Sequence, residues 1–313
     1  MSDQVQSISI KGKQRDFPAV PIGPKAVVVI KGTFLKVGKV HDEFWLHPKE
    51  LPDPTEIIEK LKKASHPPDL FTFEQKLPDV SPKYDYHLEW DNLAVVKIDS
   101  YNHWFNNQIT RQVRQAITKF QQKGVFTKIV PFTDEIVNGI CSIYNETPVR
   151  QGKAFWHYNK PFSVVKHENG TYPESSVFVG AYHENEFIGF IKLIINGEVA
   201  SLMQILSKIS HADKRPTNAL LAKAIEICES KQVRYLTYGR YVYWNKDQSS
   251  LIDFKQRNGF EKIDIPIYYV PLTIKGRVAL RFGLHKDIRM LIPDSIRTPM
   301  LKLREKYIIF DHK

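Results

Sequence analysis

The sequence has few of the residues that build a disulfide framework or a metal centre. It contains two cysteines, Cys141 and Cys228, in 313 residues. Both lie on the apolar stripe of a helical pattern, which indicates small buried residues rather than a disulfide or a metal pair. The eleven histidines are scattered without ligand spacing on one element, so we expect no metal site. The chain also lacks a G-x-S-x-G motif, which leaves a serine nucleophile without support.

Long apolar runs are missing as well. The run at residues 187–195 has the length of a strand, far below the roughly 20 residues that a membrane helix needs. Residues 1–14 are polar and mixed in charge, without the apolar core of a signal peptide. We therefore expect a cytoplasmic protein with no transmembrane segment. Hydrophobic residues make up 42% and charged residues 25% of the chain, which is typical of a globular protein.

Positive charge is in excess, with a net charge of +11 at pH 7. Such a balance favours polyanionic or anionic partners: CoA, a nucleotide sugar, tRNA, or a phospholipid surface that the protein contacts peripherally. The basic residues are spread along the chain, so simple solubility explains the charge equally well. Charge alone does not select the partner.

Periodic segments follow one another in a clear order after Gly124. We predict strands at 125–130, 163–167, 177–183, 187–195, 200–209, 233–238 and 260–270, and helices at 134–145, 217–231 and 249–256. This order predicts an α+β fold with a mixed, mostly antiparallel sheet flanked by helices.

The pattern of these segments predicts that the chain has four parts. Residues 1–20 are expected to form a flexible tail, and residues 21–123 a smaller N-terminal lobe that ends in a long basic helix at 101–123. Residues 124–275 form the main domain. Residues 276–313 are expected to form a C-terminal helical extension.

Two segments resemble a known family. Residues 111–125, RQVRQAITKFQQKGV, and residues 254–260, FKQRNGF, are similar to motifs of the Fem-type (FemAB-like) aminoacyl transferases. These belong to the GNAT, or acyl-CoA N-acyltransferase, superfamily. The resemblance covers residues 100–275 and implies a GNAT-like fold. In that fold a V-shaped gap between the strands here predicted at 200–209 and 233–238 holds the donor, and the helix at 217–231 points its N-terminus at phosphate.

The turn before that helix departs from ordinary acetyltransferases. They carry glycines there, which let backbone N–H groups close on a pyrophosphate, whereas residues 213–219 here are DKRPTNA. Fem-type members also lack this pattern, since their donor is an aminoacyl-tRNA. We predict that side chains hold the donor phosphate instead, namely those of Lys214, Arg215, Thr217 and Asn218. A solvated basic turn is the alternative.

A dense group of polar and aromatic residues lies between the helix at 134–145 and the following strand. In a GNAT-like frame this loop borders the acceptor site, so we predict that four of its residues bind the acceptor: Arg150, Gln151, Trp156 and Tyr158. The acceptor amine would be deprotonated by water or by a carboxylate such as Glu146, which is the candidate general base. The alternative is that Phe155 and Trp156 pack an interface between lobes.

A second aromatic group follows the strand at 233–238. In GNAT enzymes a tyrosine in this region often protonates the leaving group, which makes Tyr238, Tyr241 and Tyr243 candidate general acids. The alternative is an aromatic edge packed beneath a loop.

The sequence therefore predicts an acyltransferase without a tightly bound cofactor. It would move an acyl or aminoacyl group from a CoA thioester or an aminoacyl-tRNA to an amine acceptor such as a cell-envelope precursor. Two alternatives stay open: a nucleic-acid-binding module that uses the basic helix at 101–123, and a catalytically inactive GNAT scaffold.

Overall fold

The computed structural model describes residues 4–10, 13–243 and 250–286. Fourteen strands lie within these ranges: β1 (Gln4–Ile10), β2 (Lys13–Pro21), β3 (Val27–Lys31), β4 (Val37–Val40), β5 (Leu70–Glu74), β6 (His87–Lys97), β7 (Val125–Val130), β8 (Val149–Arg150), β9 (Lys153–Ala154), β10 (Ser176–His183), β11 (Glu186–Asn196), β12 (Val199–Ser207), β13 (Tyr235–Thr237) and β14 (Glu261–Pro271). The α-helices are α1 (Pro54–Lys62), α2 (Tyr101–His103), α3 (Arg111–Gln122), α4 (Asp134–Tyr144), α5 (Phe162–Asn169), α6 (Pro216–Ser230), α7 (Ser250–Arg257) and α8 (Ile274–Arg281).

The chain divides into two compact units. Unit 1 comprises Met1–Asn92 and Ile263–Ile292, and unit 2 comprises Leu93–Lys262 and Pro293–Lys313. Residues 1–20, expected to be a flexible tail, contain β1 and β2, which pair antiparallel. Residues 287–313, most of the predicted C-terminal extension, lie outside the described residues.

Unit 1 carries the strand order β1-β2-β3-β4-β5-β14. Its pairs are antiparallel except for β4 with β5. Helix α1 begins after the Asp53 cap and buries Ile57, Ile58 and Leu61 in a cluster that includes Phe71 and Tyr268. An amphipathic helix on an apolar strand face is what the i, i+1, i+4 spacing of these three residues predicts.

Unit 2 carries the strand order β6-β13-β12-β11-β10-β7. Neighbouring residues of β10 belong to different hydrophobic clusters. Val179 packs with α3 and α6, whereas Phe178 packs with α4 and α5. Because successive side chains of a strand point to opposite faces, helices cover both faces of this sheet. The prediction of a mixed, mostly antiparallel sheet flanked by helices is confirmed.

Besides the expected tail, two further sequence predictions differ from the structure. Residues 163–167 were predicted as a strand but lie in helix α5, where Val165 and Asn169, four residues apart, are both buried. A short apolar run does not distinguish a strand from a helical segment, and here the helical period prevails. The basic helix predicted at 101–123 is divided, because Ile109 has an extended backbone: α2 ends at His103 and α3 begins at Arg111. Helix α3, predicted in the N-terminal lobe, buries Val113, Ile117 and Phe120 in the core of unit 2.

Candidate active site in unit 2

Two adjacent parallel strands of unit 2 part at one point. Strands β12 and β13 pair only through Val199, Ala200 and Ser201. Beyond this, β13 ends at Thr237 while β12 continues to Ser207. In the pairing of β12 with β11, Met203 of β12 has no partner residue. An extra residue of this kind is a β-bulge and bends the strand. Pairing between the two strands thus ends at Ser201 and Thr237.

Two hydroxyl groups meet where the strands part. Thr237 Oγ1 donates a hydrogen bond of 2.9 Å to Ser201 Oγ, and the two residues are only 2% and 6% exposed. The bond gives the Thr237 hydroxyl an acceptor and the Ser201 oxygen a donor, as buried polar groups require. The sequence analysis did not select either residue, although each interrupts an apolar strand.

A cleft of about 740 Å³ lies in unit 2 between α3, the start of α6 and α7. Its lining residues are Gln112, Val113, Gln115, Ala116, Lys119, Lys123, Asp213, Arg215, Asn218, Ser250, Asp253, Phe254, Arg257 and Asn258. Four of them are cationic and two are acidic. The cleft thus favours an anionic ligand, since concave surfaces focus the field of their charges.

The glycine-free turn enters α6 through a left-handed residue. Arg215 has φ 58° and ψ 42°, and Pro216 follows at the first helical position. The N–H groups of Asn218 and Ala219 both donate to the Arg215 carbonyl, at 3.1 and 3.3 Å. Because proline has no N–H, this helix start has few backbone donors for a phosphate. Side chains must therefore supply most of the contacts to any phosphate here.

The structure separates the four residues predicted to bind the donor. Arg215 and Asn218 line the cleft. Lys214 lies 3.5 Å from Asp213, and the Thr217 hydroxyl lies 3.1 Å from that of Ser207; the cleft lining includes neither of them. A missed residue, Lys123, donates through Nζ to the Asp213 carbonyl at 2.6 Å and so ties α3 to the turn.

Glu146 and Arg150 form a clamp rather than an open binding site. Glu146 accepts hydrogen bonds from the N–H groups of Ile209 and Ser210, at 2.6 and 2.8 Å, and from the Ser210 hydroxyl at 2.7 Å. Burial alone would raise the pKa of Glu146, but these bonds and nearby Arg150 hold it below its ordinary value. A carboxylate held in this way is a weak base, so the geometry does not suit the predicted role.

The guanidinium of Arg150 is also committed within the protein. Nη1 donates to the Ser207 carbonyl and Nη2 to the Ile143 carbonyl, both at 2.9 Å. Nη2 also lies 3.3 Å from Glu146, and the side chain is 14% exposed. Arg150 thus links α4 to the end of β12, and its predicted contact with an acceptor has little support.

The other predicted acceptor residues lie at the surface of the same loop. Trp156 is 60% and Tyr158 42% exposed, and Gln151 is an exposed left-handed residue with φ 52°. Lys160 Nζ lies 3.3 Å from the centre of the Trp156 ring. None of these residues lines the cleft that Arg215 and Asn218 line.

A buried polar network behind this loop was missed. Tyr144 Oη and the Gln204 amide lie within hydrogen-bonding distance, and the His157 ring lies 4.4 Å from that of Tyr144. Burial, and then the charges of Lys160 and Arg150, lower the pKa of His157 to about 4. His157 is therefore neutral at physiological pH. A lone histidine in an aromatic segment does not reveal this surrounding from sequence.

Lys192 is a second buried group that the sequence analysis did not select. It is fully buried in β11, and its Nζ donates to the Asn169 and Thr171 carbonyls at 2.8 and 2.7 Å. Burial lowers the pKa of Lys192 to about 8. The lysine binds the end of α5 to the sheet, which is a structural role.

The tyrosines after β13 surround another buried lysine. Burial, with a lesser contribution from Tyr243, raises the pKa of Tyr238 to about 12. Lys255 is fully buried, and its Nζ lies 5.1 Å from the Tyr238 ring and 5.0 Å from the Tyr243 ring. Burial lowers the pKa of Lys255 to about 8, close enough to neutrality for proton transfer.

The remaining tyrosine candidates have different surroundings. Tyr241 is partly buried against the core of unit 2. Tyr243 is 42% exposed, and its hydroxyl accepts a hydrogen bond from the Arg240 N–H at 3.2 Å. Trp244, which adjoins this group in sequence, lies outside the described residues. The aromatic group thus combines packed and exposed tyrosines around one lysine.

Solved structures with a similar fold are known. The C-terminal domain (DUF2156) of a putative lysylphosphatidylglycerol synthetase from Agrobacterium fabrum aligns with 86% of this chain and 88% of its own, with TM-score 0.55 and 10% identity. L-PGS from Bacillus licheniformis aligns over 82% and 85%, with TM-score 0.54 and 15% identity. FemX aligns over 90% of both chains, with TM-score 0.49 and 9% identity.

These likenesses concern the fold. At such low identities they do not assign the chain to a family, and the FemX value is too low to support the predicted Fem-type membership. No protein-family model matches the sequence, and no curated protein matches it. In the part of the chain that the structure describes, no helix is long and apolar enough to cross a membrane.

Proposed function

We propose that the chain is a GNAT-like transferase that takes an aminoacyl group from aminoacyl-tRNA. The observation that carries the proposal is the divergence of β12 and β13 at Ser201 and Thr237 in the unit that holds the cationic cleft. In a GNAT-like fold this divergence is where the acyl arm of the donor lies. A CoA thioester is the other donor of suitable chemistry.

The groups available to bind phosphate suit tRNA better than CoA. A compact pyrophosphate is bound best by converging backbone N–H groups, and the start of α6 offers few of them. Separate cations suit a longer phosphate backbone. Lys119 on α3, Arg215 before α6 and Arg257 on α7 reach the cleft from three elements.

Transfer from an aminoacyl ester requires one bond exchange. The acceptor nitrogen or oxygen attacks the ester carbonyl and loses a proton, the carbonyl–oxygen bond to the terminal ribose breaks, and the ribose oxygen takes up a proton. We assign that proton to the group around Lys255. Tyr238, with its pKa of about 12, retains its proton at neutral pH and therefore suits an acid but not a base.

The acceptor is proposed to be an amine or an anionic lipid of the cell envelope. Two of the structures with a similar fold are named for lysylphosphatidylglycerol or its abbreviation, a lipid that carries an amino acid. If tRNA is the donor, transfer takes place in the cytoplasm, where tRNA is charged.

A contact with a membrane surface fits an acceptor of this kind. Unit 1 exposes Phe34 and, around α8, Ile274 and Phe282, which are 76%, 75% and 71% exposed. The exposed cations Lys275 and Arg281 lie on the same helix. Apolar side chains flanked by cations favour an anionic lipid surface.

A transfer assay tests the proposal. The purified chain is incubated with a pool of radiolabelled aminoacyl-tRNAs, or with labelled acetyl-CoA, in the presence of phosphatidylglycerol vesicles and of amine acceptors. We expect label to move from tRNA to one acceptor class and none to move from acetyl-CoA. Transfer from acetyl-CoA alone would contradict the tRNA assignment, and transfer from neither donor would favour the inactive scaffold.

A further inference from the structure

Two histidines and a glutamate lie close together in unit 1. The proposed transfer reaction does not use these three residues. His87 and Glu89 lie two residues apart at the start of β6, so their side chains share one face of the strand. His285 lies shortly after α8. One ligand atom from each residue lies within 4.8 Å of the others.

Two of the three ligand-to-ligand distances are close to the edge of a coordination tetrahedron. Glu89 Oε1 lies 2.9 Å from His285 Nε2 and 3.6 Å from His87 Nε2. Zinc binds histidine nitrogen and carboxylate oxygen at about 2.0–2.2 Å, which places tetrahedral ligands roughly 3.3 Å apart. The two measured distances bracket that value. We propose that these three residues form a binding site for a divalent transition-metal ion of the Zn²⁺ type.

The surroundings suit such a site. The side chain of His285 is 2% exposed, that of Glu89 28% and that of His87 43%, so a metal ion has a route from solvent to partly buried ligands. The Tyr269 ring lies 4.7 Å from the His285 ring and 6.2 Å from the His87 ring. Packing against one aromatic ring restricts both imidazoles and lowers the entropy that metal binding costs.

Two histidines and one carboxylate leave a fourth position for water or another ligand. The set is of the His₂Glu type found in zinc sites with an open position, and imidazole and carboxylate also suit Fe²⁺. A bound ion would connect the start of β6 to the chain after α8. It would thereby stabilise unit 1.

Lys286 is the competitor for the same carboxylate. Its Nζ lies 3.2 Å from Glu89 Oε1, and its side chain is 43% exposed. A metal ion would displace the Lys286 ammonium, which can turn into solvent.

The competition gives a discriminating experiment. Zn²⁺ affinity of the untagged full chain is measured near neutral pH by competition with a chromophoric chelator, and Co²⁺ binding by the visible absorption of a tetrahedral complex. We expect one ion per chain. His87→Ala and Glu89→Gln should weaken binding at least about 10-fold, whereas Lys286→Ala should tighten it, because the competing cation is gone.

His41→Ala is the matched control, since His41 lies 3.6 Å from Asp42 as a histidine–carboxylate pair in the same unit and belongs to no group of three possible ligands among the described residues. Its affinity for Zn²⁺ should equal that of the wild type. His87 is exposed, so its variant tests the ligand set even if a change at buried His285 disturbs folding. Wild-type affinity no greater than that of His87→Ala, or a Lys286→Ala variant that binds no tighter, would overturn the site.

Discussion

Removal of the Glu146 carboxylate tests whether this residue is an anchor or a base. The side chain is 18% exposed and accepts three hydrogen bonds from the 209–210 turn. Hydrogen bonds to a charged group contribute about 1.5–3 kcal/mol each, but Ile209 and Ser210 are exposed and water replaces part of the loss. We expect Glu146→Ala to destabilise unit 2 by about 2–4 kcal/mol.

Glu146→Gln separates the carboxylate charge from its hydrogen bonds. The amide oxygen still accepts from the turn but loses the charge beside Arg150, so we expect a loss of about 1–2 kcal/mol. Because the folded pKa of Glu146 lies below its ordinary value of 4.5, its stabilisation is present above that pH. The stabilisation is lost as the pH falls through the folded pKa.

Amide hydrogen exchange of the turn after β12 measures this effect locally, and thermal unfolding measures it for the whole chain. Glu168→Ala is the control, since the Glu168 carboxylate pairs with Lys160 at 2.7 Å. This variant should change exchange in the turn little. Unchanged exchange in Glu146→Ala would refute the anchor. So would a Glu146→Gln variant of full stability that loses the chemical step of transfer.

Three further changes test other parts of the account. His157 has a pKa of about 4 in the folded protein against an ordinary 6.5. As the pH falls, the unfolded state therefore binds the proton first, and stability falls between pH 6.5 and 4 by at most about 3 kcal/mol. His157→Phe should flatten that pH dependence in thermal unfolding, and an unaltered slope would contradict the prediction. Thr237→Val should cost about 1–2 kcal/mol, because Ser201 loses its buried partner; a denaturation midpoint equal to wild type would argue against the hydroxyl pair. Lys255→Met should retain the fold and lower the rate of transfer roughly 100-fold; wild-type turnover would remove Lys255 from the mechanism.

Much of the fold is predictable from local pattern. The spacing of Ile136 and Ile140 predicts α4, and the polar residues 184–186 predict the hairpin between β10 and β11. The exception is α5, where Val164 and Val165 favour a strand by propensity while tertiary packing selects a helix. These local signals predict the order of helices and strands along the chain well.

The site is less predictable, because the type of a residue does not show which group its side chain binds in the folded protein. Arg150 was expected to bind an acceptor, but carbonyls that are distant in sequence take its donors. Lys255 is the opposite case. It lies in the motif at residues 254–260, but the burial that lowers its pKa is visible only in the structure. His87 and His285 are too far apart in sequence for any spacing rule to connect them.

The central claim is that the cationic cleft of unit 2 binds the phosphate backbone of an aminoacyl-tRNA. Its direct test is the salt dependence of tRNA affinity for Lys119→Gln/Arg257→Gln, compared with a control that removes one lysine and one arginine at the other end of α6, Lys231→Gln/Arg234→Gln.

The account predicts that the cleft variant binds at least about 10-fold more weakly at moderate salt, with a salt slope reduced by about 1–2, while the control stays near wild type. Equal losses in both variants, or a cleft variant that binds tRNA as wild type does, would contradict it.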